Sequence, residues 1–153
     1  MSTLDLQAHL PPIEELRPVN ISPARTLSEK ALAVGGFVLL VFIDLVMKTA
    51  GFHRFHRLLQ RWPRLGRPPA DGEAVERLCT AVDRAATYYF KRAWCLQRSA
   101  TAVCLLRLRG VDARLAIGVQ KIPFYAHAWA EVDGRVVNDH PEVQRQYSVL
   151  ERC

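Results

Sequence analysis

No Cys-x-x-Cys pair and no cysteine–histidine spacing of the metal-binding kind occurs in these 153 residues. The four cysteines, at 79, 95, 104 and 153, are scattered and too sparse for a disulfide-held secreted domain, which points to free thiols in a reducing cytoplasm. No apolar run opens the chain as a secretory signal does; residues 1–27 carry Asp5, Glu14, Glu15 and four prolines. No helix-turn-helix, zinc-finger or RNP motif accompanies the net charge of +6, so nucleic acid is not an expected partner. Nor is there an internal repeat or low-complexity tract. One apolar stretch, 31–47, could suggest a membrane, but its uncharged part is only 13 residues and Asp44 interrupts it. A span needs about 20 residues. A buried core helix is the expectation, with weak membrane-surface contact as the alternative.

What remains is a globular composition, half hydrophobic and about a quarter charged, with length for one domain. The prolines make 1–27 an extended arm. Ser28 is a candidate N-cap for an apolar helix reaching about Lys48, and Gly51 ends it. A basic helix follows over 52–62, and the segment 52–67 holds five arginines. A Pro/Gly linker at 63–72 separates this N-terminal helical layer, 28–66, from a catalytic core at 71–153. Val75, Leu78, Cys79, Val82, Ala86 and Tyr89 recur at helical steps and predict a helix over 73–89. Another helix over 96–109 ends at Gly110. Residues 113–120 and 125–132 read as strands. A third, 135–139, follows across Asp133-Gly134, and a short edge strand falls at 146–150. Helices followed by strands give an α+β fold with a small antiparallel sheet.

Three residues could act together. Cys95 stands at the start of the helix over 96–109, where unpaired N–H groups and the helix dipole favour a thiolate and can hold an oxyanion. Lys91, Arg92 and Arg98 act in the same direction. His127 lies within the strand 125–132. Its neighbours Ala126, Ala128 and Ala130 form a face with little bulk, against which the Cys95 helix is expected to pack. His127, Trp129 and Glu131 share the other face, with Glu131 expected to be exposed. Asp139 ends the next strand, and its facing depends on the turn. A two-residue loop sets His127 against His140 and turns Asp139 away, leaving Asn138 or His140 as the alternatives. A three-residue loop, Val132-Asp133-Gly134 with a bulge, sets Asp139 against His127. The triad therefore predicts positive φ at Gly134 and an odd loop. Cys79 and Cys104 read as core, and Cys153 as exposed. His53 and His56 lack ligand neighbours in sequence, so no metal and no cofactor is expected.

Cys95-Leu-Gln-Arg-Ser99, Leu105-Leu-Arg107 ahead of Gly110, Gly118-Val119 before Pro123-Phe124, and Ala126-His-Ala-Trp129 followed by Asp133-Gly134 resemble, in order and spacing, the leader peptidases of lasso-peptide biosynthesis. These B proteins are transglutaminase-like cysteine proteases with a papain-like core. The resemblance covers about 28–150. It implies Cys95 as nucleophile, His127 as base and Asp139 as third member, in an enzyme that removes the leader from a ribosomally made precursor. A separate ATP-dependent lasso cyclase then closes the macrolactam. With only an arm ahead of the apolar helix, the resemblance implies a separate leader-recognition protein. The segments 31–47 and 52–67 are its candidate docking surfaces, through Arg54, Arg57 and Arg61, while Arg98 and Trp129 are candidate substrate or partner contacts. A transglutaminase-like acyl transferase and a non-catalytic adaptor between precursor and cyclase are the alternatives.

Overall fold

The computed structural model describes residues 27–66, 72–89 and 95–153, without the side chains of Leu27 and Ser28. The predicted arm, the middle of the linker, and Lys91 and Arg92 lie outside those residues.

Three helices precede the sheet: α1 (Leu27–Gln60), α2 (Gly72–Thr87) and α3 (Cys95–Leu108). Gly51, at φ 78 and ψ 168, breaks α1 where the sequence placed the boundary. Glycine adopts that left-handed φ without a Cβ clash. The two segments pack side by side, with the Phe42 and Trp62 rings 6.2 Å apart. Helix α3 is buried from Ser99 through Arg107. It lies between α1 and α2 on one side and the sheet on the other, so it has no polar stripe. Buried Arg107 ties three elements together, donating from Nε to Ala113 O at 2.8 Å and from a terminal nitrogen to Leu59 O at 2.6 Å.

The sheet has the order β3-β2-β1-β4. Strands β1 (Ala113–Gln120) and β2 (Tyr125–Val132) lie as predicted. Ala128 and Ala130 face the helices, and Ser99 Oγ of α3 donates to Ala128 O at 2.8 Å. Small side chains on β2 are what allow so close a helix. A second, smaller core covers the other face, where Ala116 and Trp129 meet Val143, Tyr147 and Val149. The expected edge strand is displaced: a short helix α4 (Val143–Gln146) comes first, then β4 (Ser148–Arg152).

Four further expectations need correction. The hairpin loop has two residues, because Val132 pairs with Arg135 and Glu131 with Val136. Asp133 and Gly134, at φ 50 and 76, form the left-handed pair of a type I′ turn. Gly134 has the required φ, but the loop is even. Strand β3 (Arg135–Val136) is also shorter than the 135–139 expected. Thirdly, the apolar part of α1 is buried along one face only; Leu40 and Ile43 enter the core, while Val34, Val38 and Leu45 are exposed. Finally, Cys153 is partly buried, its backbone exchanging hydrogen bonds of 2.9 and 2.7 Å with Leu115.

Candidate active site

Asp139 reaches His127 although the turn has the wrong parity, because β3 leaves the sheet before it. Val137 N still donates to Ala130 O at 3.0 Å. The next ladder acceptor is a side chain: Ala130 N donates to Asn138 Oδ1 at 2.6 Å. Asn138 Nδ2 in turn donates to Ser99 Oγ at 2.8 Å. The backbone at 138–140 is thereby released from strand alternation, which binds only residues that stay in the sheet. Asp139 swings back, and its Oδ2 accepts from His127 Nε2 at 2.8 Å. Its Oδ1 accepts from His140 N at 2.7 Å, which fixes the carboxylate plane.

A carboxylate can only accept, so it holds the imidazole proton on Nε2 and leaves Nδ1 with the lone pair. The ring is also held from the side. It lies 5.2 Å from the Tyr147 ring and 6.2 Å, stacked, from Trp129. Gly118, opposite His127 in the β1–β2 ladder, makes that aromatic group possible. A Cβ there would come within 2.8 Å of the Trp129 ring and 2.9 Å of Tyr147 Cβ.

Cys95 is the first residue of α3 and is partly exposed. Cys95 and His127 are not hydrogen-bonded to each other. What relates them is the Ser99–Ala128 bond, one turn after Cys95 and one residue after His127. The three other cysteines are unsuited to nucleophilic work near neutral pH. Burial pushes the thiols of Cys79 and Cys104 up to about 12 and that of Cys153 up to about 11.

The remaining sequence candidates divide. Arg98 lies between two acids, a terminal nitrogen 3.7 Å from Asp139 Oδ2 and Nε 3.6 Å from Asp83 Oδ1. Burial raises the Asp83 carboxyl above its ordinary value, with Arg98 pulling it down and Asp139 pushing it up. Trp129 is corrected: it is fully buried and cannot touch a substrate or partner. Its indole instead donates to Glu131 Oε1 at 2.8 Å. Glu131 is buried as well, not exposed, and also accepts from Gln144 at 2.9 Å and Arg152 at 2.8 Å. Arg54 and Arg57, on the second segment of α1, and Arg61, in the turn just after it, are exposed. Sequence reasoning passed over Ser99 and weighed Asn138 only as a replacement for Asp139, not as the link between β2 and α3. Ser99 was visible in the motif, but its role needs β2 beside α3. Asp83 left no signal, since only helix packing brings it near.

Helices followed by a small antiparallel sheet, with a helix-start cysteine and a strand histidine bonded to a carboxylate, define a class. The chain belongs to the Transglutaminase-like superfamily, whose family model matches residues 37–152. It is also 45% identical over 56 residues to the microcin J25-processing protein McjB of Escherichia coli. That stretch is 37% of this chain and 27% of the relative, so the likeness spans about a quarter of that protein's length. No solved structure matches the chain.

Proposed function

We propose that this protein is a cysteine peptidase that removes the leader from a lasso-peptide precursor before a separate cyclase closes the macrolactam. The observation that carries the reading is the His127–Asp139 bond held beside the helix that Cys95 begins. The partial identity to a microcin J25-processing protein supplies the substrate class.

In this mechanism His127 Nδ1 takes the thiol proton, and Cys95 Sγ attacks the carbonyl of the leader–core peptide bond. Backbone N–H groups in the first turn of α3 hold the oxyanion. The imidazolium protonates the leaving amine, the N-terminal end of the core, and the leader stays as a thioester on Cys95. Water, deprotonated by His127, then releases it as a carboxylic acid. Asp139 keeps the ring oriented throughout. The working partners in this reading are the precursor, a leader-recognition protein and the cyclase, in a cytoplasm that keeps Cys95 reduced.

The test is to mix the pure protein with candidate precursors, with and without a leader-binding protein, and weigh the products. Leader and core should separate, and Cys95→Ala should stop this with an unchanged circular dichroism spectrum. Cleavage that survives Cys95→Ala overturns the reading. A labelled amine incorporated into the leader in place of water would indicate acyl transfer instead. For the adaptor alternative, a thiol probe near neutral pH decides: Cys95 should react well ahead of Cys79 and Cys104, and equal protection of all three argues against a nucleophile.

A further inference from the structure

Helix α1 is apolar on both sides, yet among the described residues only one side is packed into the core. Its inner face carries Gly36, Leu40 and Ile43. A Cβ at Gly36 would meet Ala85 Cβ at 3.5 Å, an ordinary contact, so this side of α1 lies directly on α2. The outer face carries Val34, Val38, Val41 and Leu45, with Val34 63%, Val38 61% and Leu45 56% exposed, and Phe42, which meets the Trp62 ring, forms its edge. The steps of three and four place them in one row. At 1.5 Å per residue the row from Val34 to Leu45 runs about 16 Å. Single exposed apolar residues are ordinary on a protein surface, but a continuous row is a binding face.

Charge identifies what covers it. From Lys30 to Gly66 the sequence holds one acid, Asp44. That carboxylate is mostly buried and neutralised, with Lys48 at 2.8 Å and the Tyr89 hydroxyl donating at 3.0 Å. Arg54, Arg57 and Arg61 are all exposed. Gly51 breaks α1, and the Phe42–Trp62 contact sets the chain after it beside the first segment, so these arginines lie on the stretch next to the apolar row. An exposed row of Val and Leu with exposed arginines on the adjoining stretch is the composition of a helix lying in a bilayer interface. A spanning orientation does not fit, because the inner face is occupied by the protein's own core.

We propose that the outer row of α1 and the arginines beside it seat this protein on an anionic lipid bilayer, in the plane of the headgroups. The apolar residues enter the acyl boundary and the guanidinium groups meet lipid phosphates. This inference is independent of the catalytic reading.

Co-sedimentation of the full chain with vesicles tests it. Vesicles of phosphatidylcholine with about a third phosphatidylglycerol should bind at least tenfold more strongly than phosphatidylcholine alone, and raised salt should weaken that binding. Val34→Ser/Val38→Ser/Leu45→Ser and, separately, Arg54→Glu/Arg57→Glu/Arg61→Glu should each lower the partition coefficient at least tenfold. All six positions are exposed, and circular dichroism checks each fold. Absent binding to the anionic vesicles overturns the proposal, as does binding that neither variant changes. Sedimentation velocity without lipid covers the protein alternative: a dimer abolished by the serine variant, together with no vesicle binding, assigns the row to a second copy.

Discussion

Two carboxylates stand on one side of this sheet, and the contrast between them separates a structural site from a chemical one. Glu131 is buried and accepts from three donors: Trp129, Gln144 and Arg152. Burial alone pushes its carboxyl up, but these hydrogen bonds outweigh it and hold the group below its ordinary value. Asp139 is part-exposed and meets the ring of His127. An indole has only its N–H, whereas an imidazole that donates from one nitrogen keeps a basic lone pair on the other. The same geometry, a carboxylate on an aromatic N–H, therefore locks a strand in one place and orients an imidazole in the other.

Substitutions should separate the two roles. The largest expected effect is on chemistry: His127→Ala should slow precursor cleavage about 10⁴-fold, and Asp139→Ala about 10²-fold, with little change in melting temperature. A strong loss of stability in Asp139→Ala would erase the contrast. Glu131→Ala should do the reverse, costing about 2 kcal/mol in chemical denaturation while activity per folded molecule persists, because it leaves the Trp129 indole and Arg152 without their acceptor. Gly118→Ala falls between the two. The added methyl presses on Trp129 and Tyr147, which should cost about 1–2 kcal/mol and disturb the His127 ring, so stability and rate should fall together. The smallest effect is on pH dependence. The stability contributed by Glu131 is complete above its ordinary value of 4.5 and is lost as pH falls through the lowered folded value. Acid titration followed by fluorescence should therefore show a shallower acid limb in Glu131→Gln.

Much of the frame was legible from local patterns. Helical spacing marked α2 and α3, glycines marked the break in α1 and the end of α3, and the strand patterns marked β1 and β2. The places of Cys95 at a helix start and His127 within a strand were also legible, because the sequence pattern around each is local. The turn was misjudged for a physical reason. Side-chain parity is a rule of hydrogen-bonded ladders, and Asn138 ends the ladder by supplying its own amide oxygen to Ala130. Nothing local distinguishes an asparagine that does this from one that does not. Trp129 and Glu131 were misplaced because one strand shows only that two side chains share a face, not that Val143 and Tyr147 will fold over that face.

The sequence by itself determined the α+β class, the order of elements and the residue types suited to nucleophile and base, because periodicity, turn chemistry and motif spacing act within a few residues. Tertiary structure alone decided that Asp139 meets His127, that Glu131 is a buried lock, that Arg98 lies between Asp83 and Asp139, and that α1 is half covered. Each of these depends on which distant segment fills the space beside a side chain, and that is a property of packing.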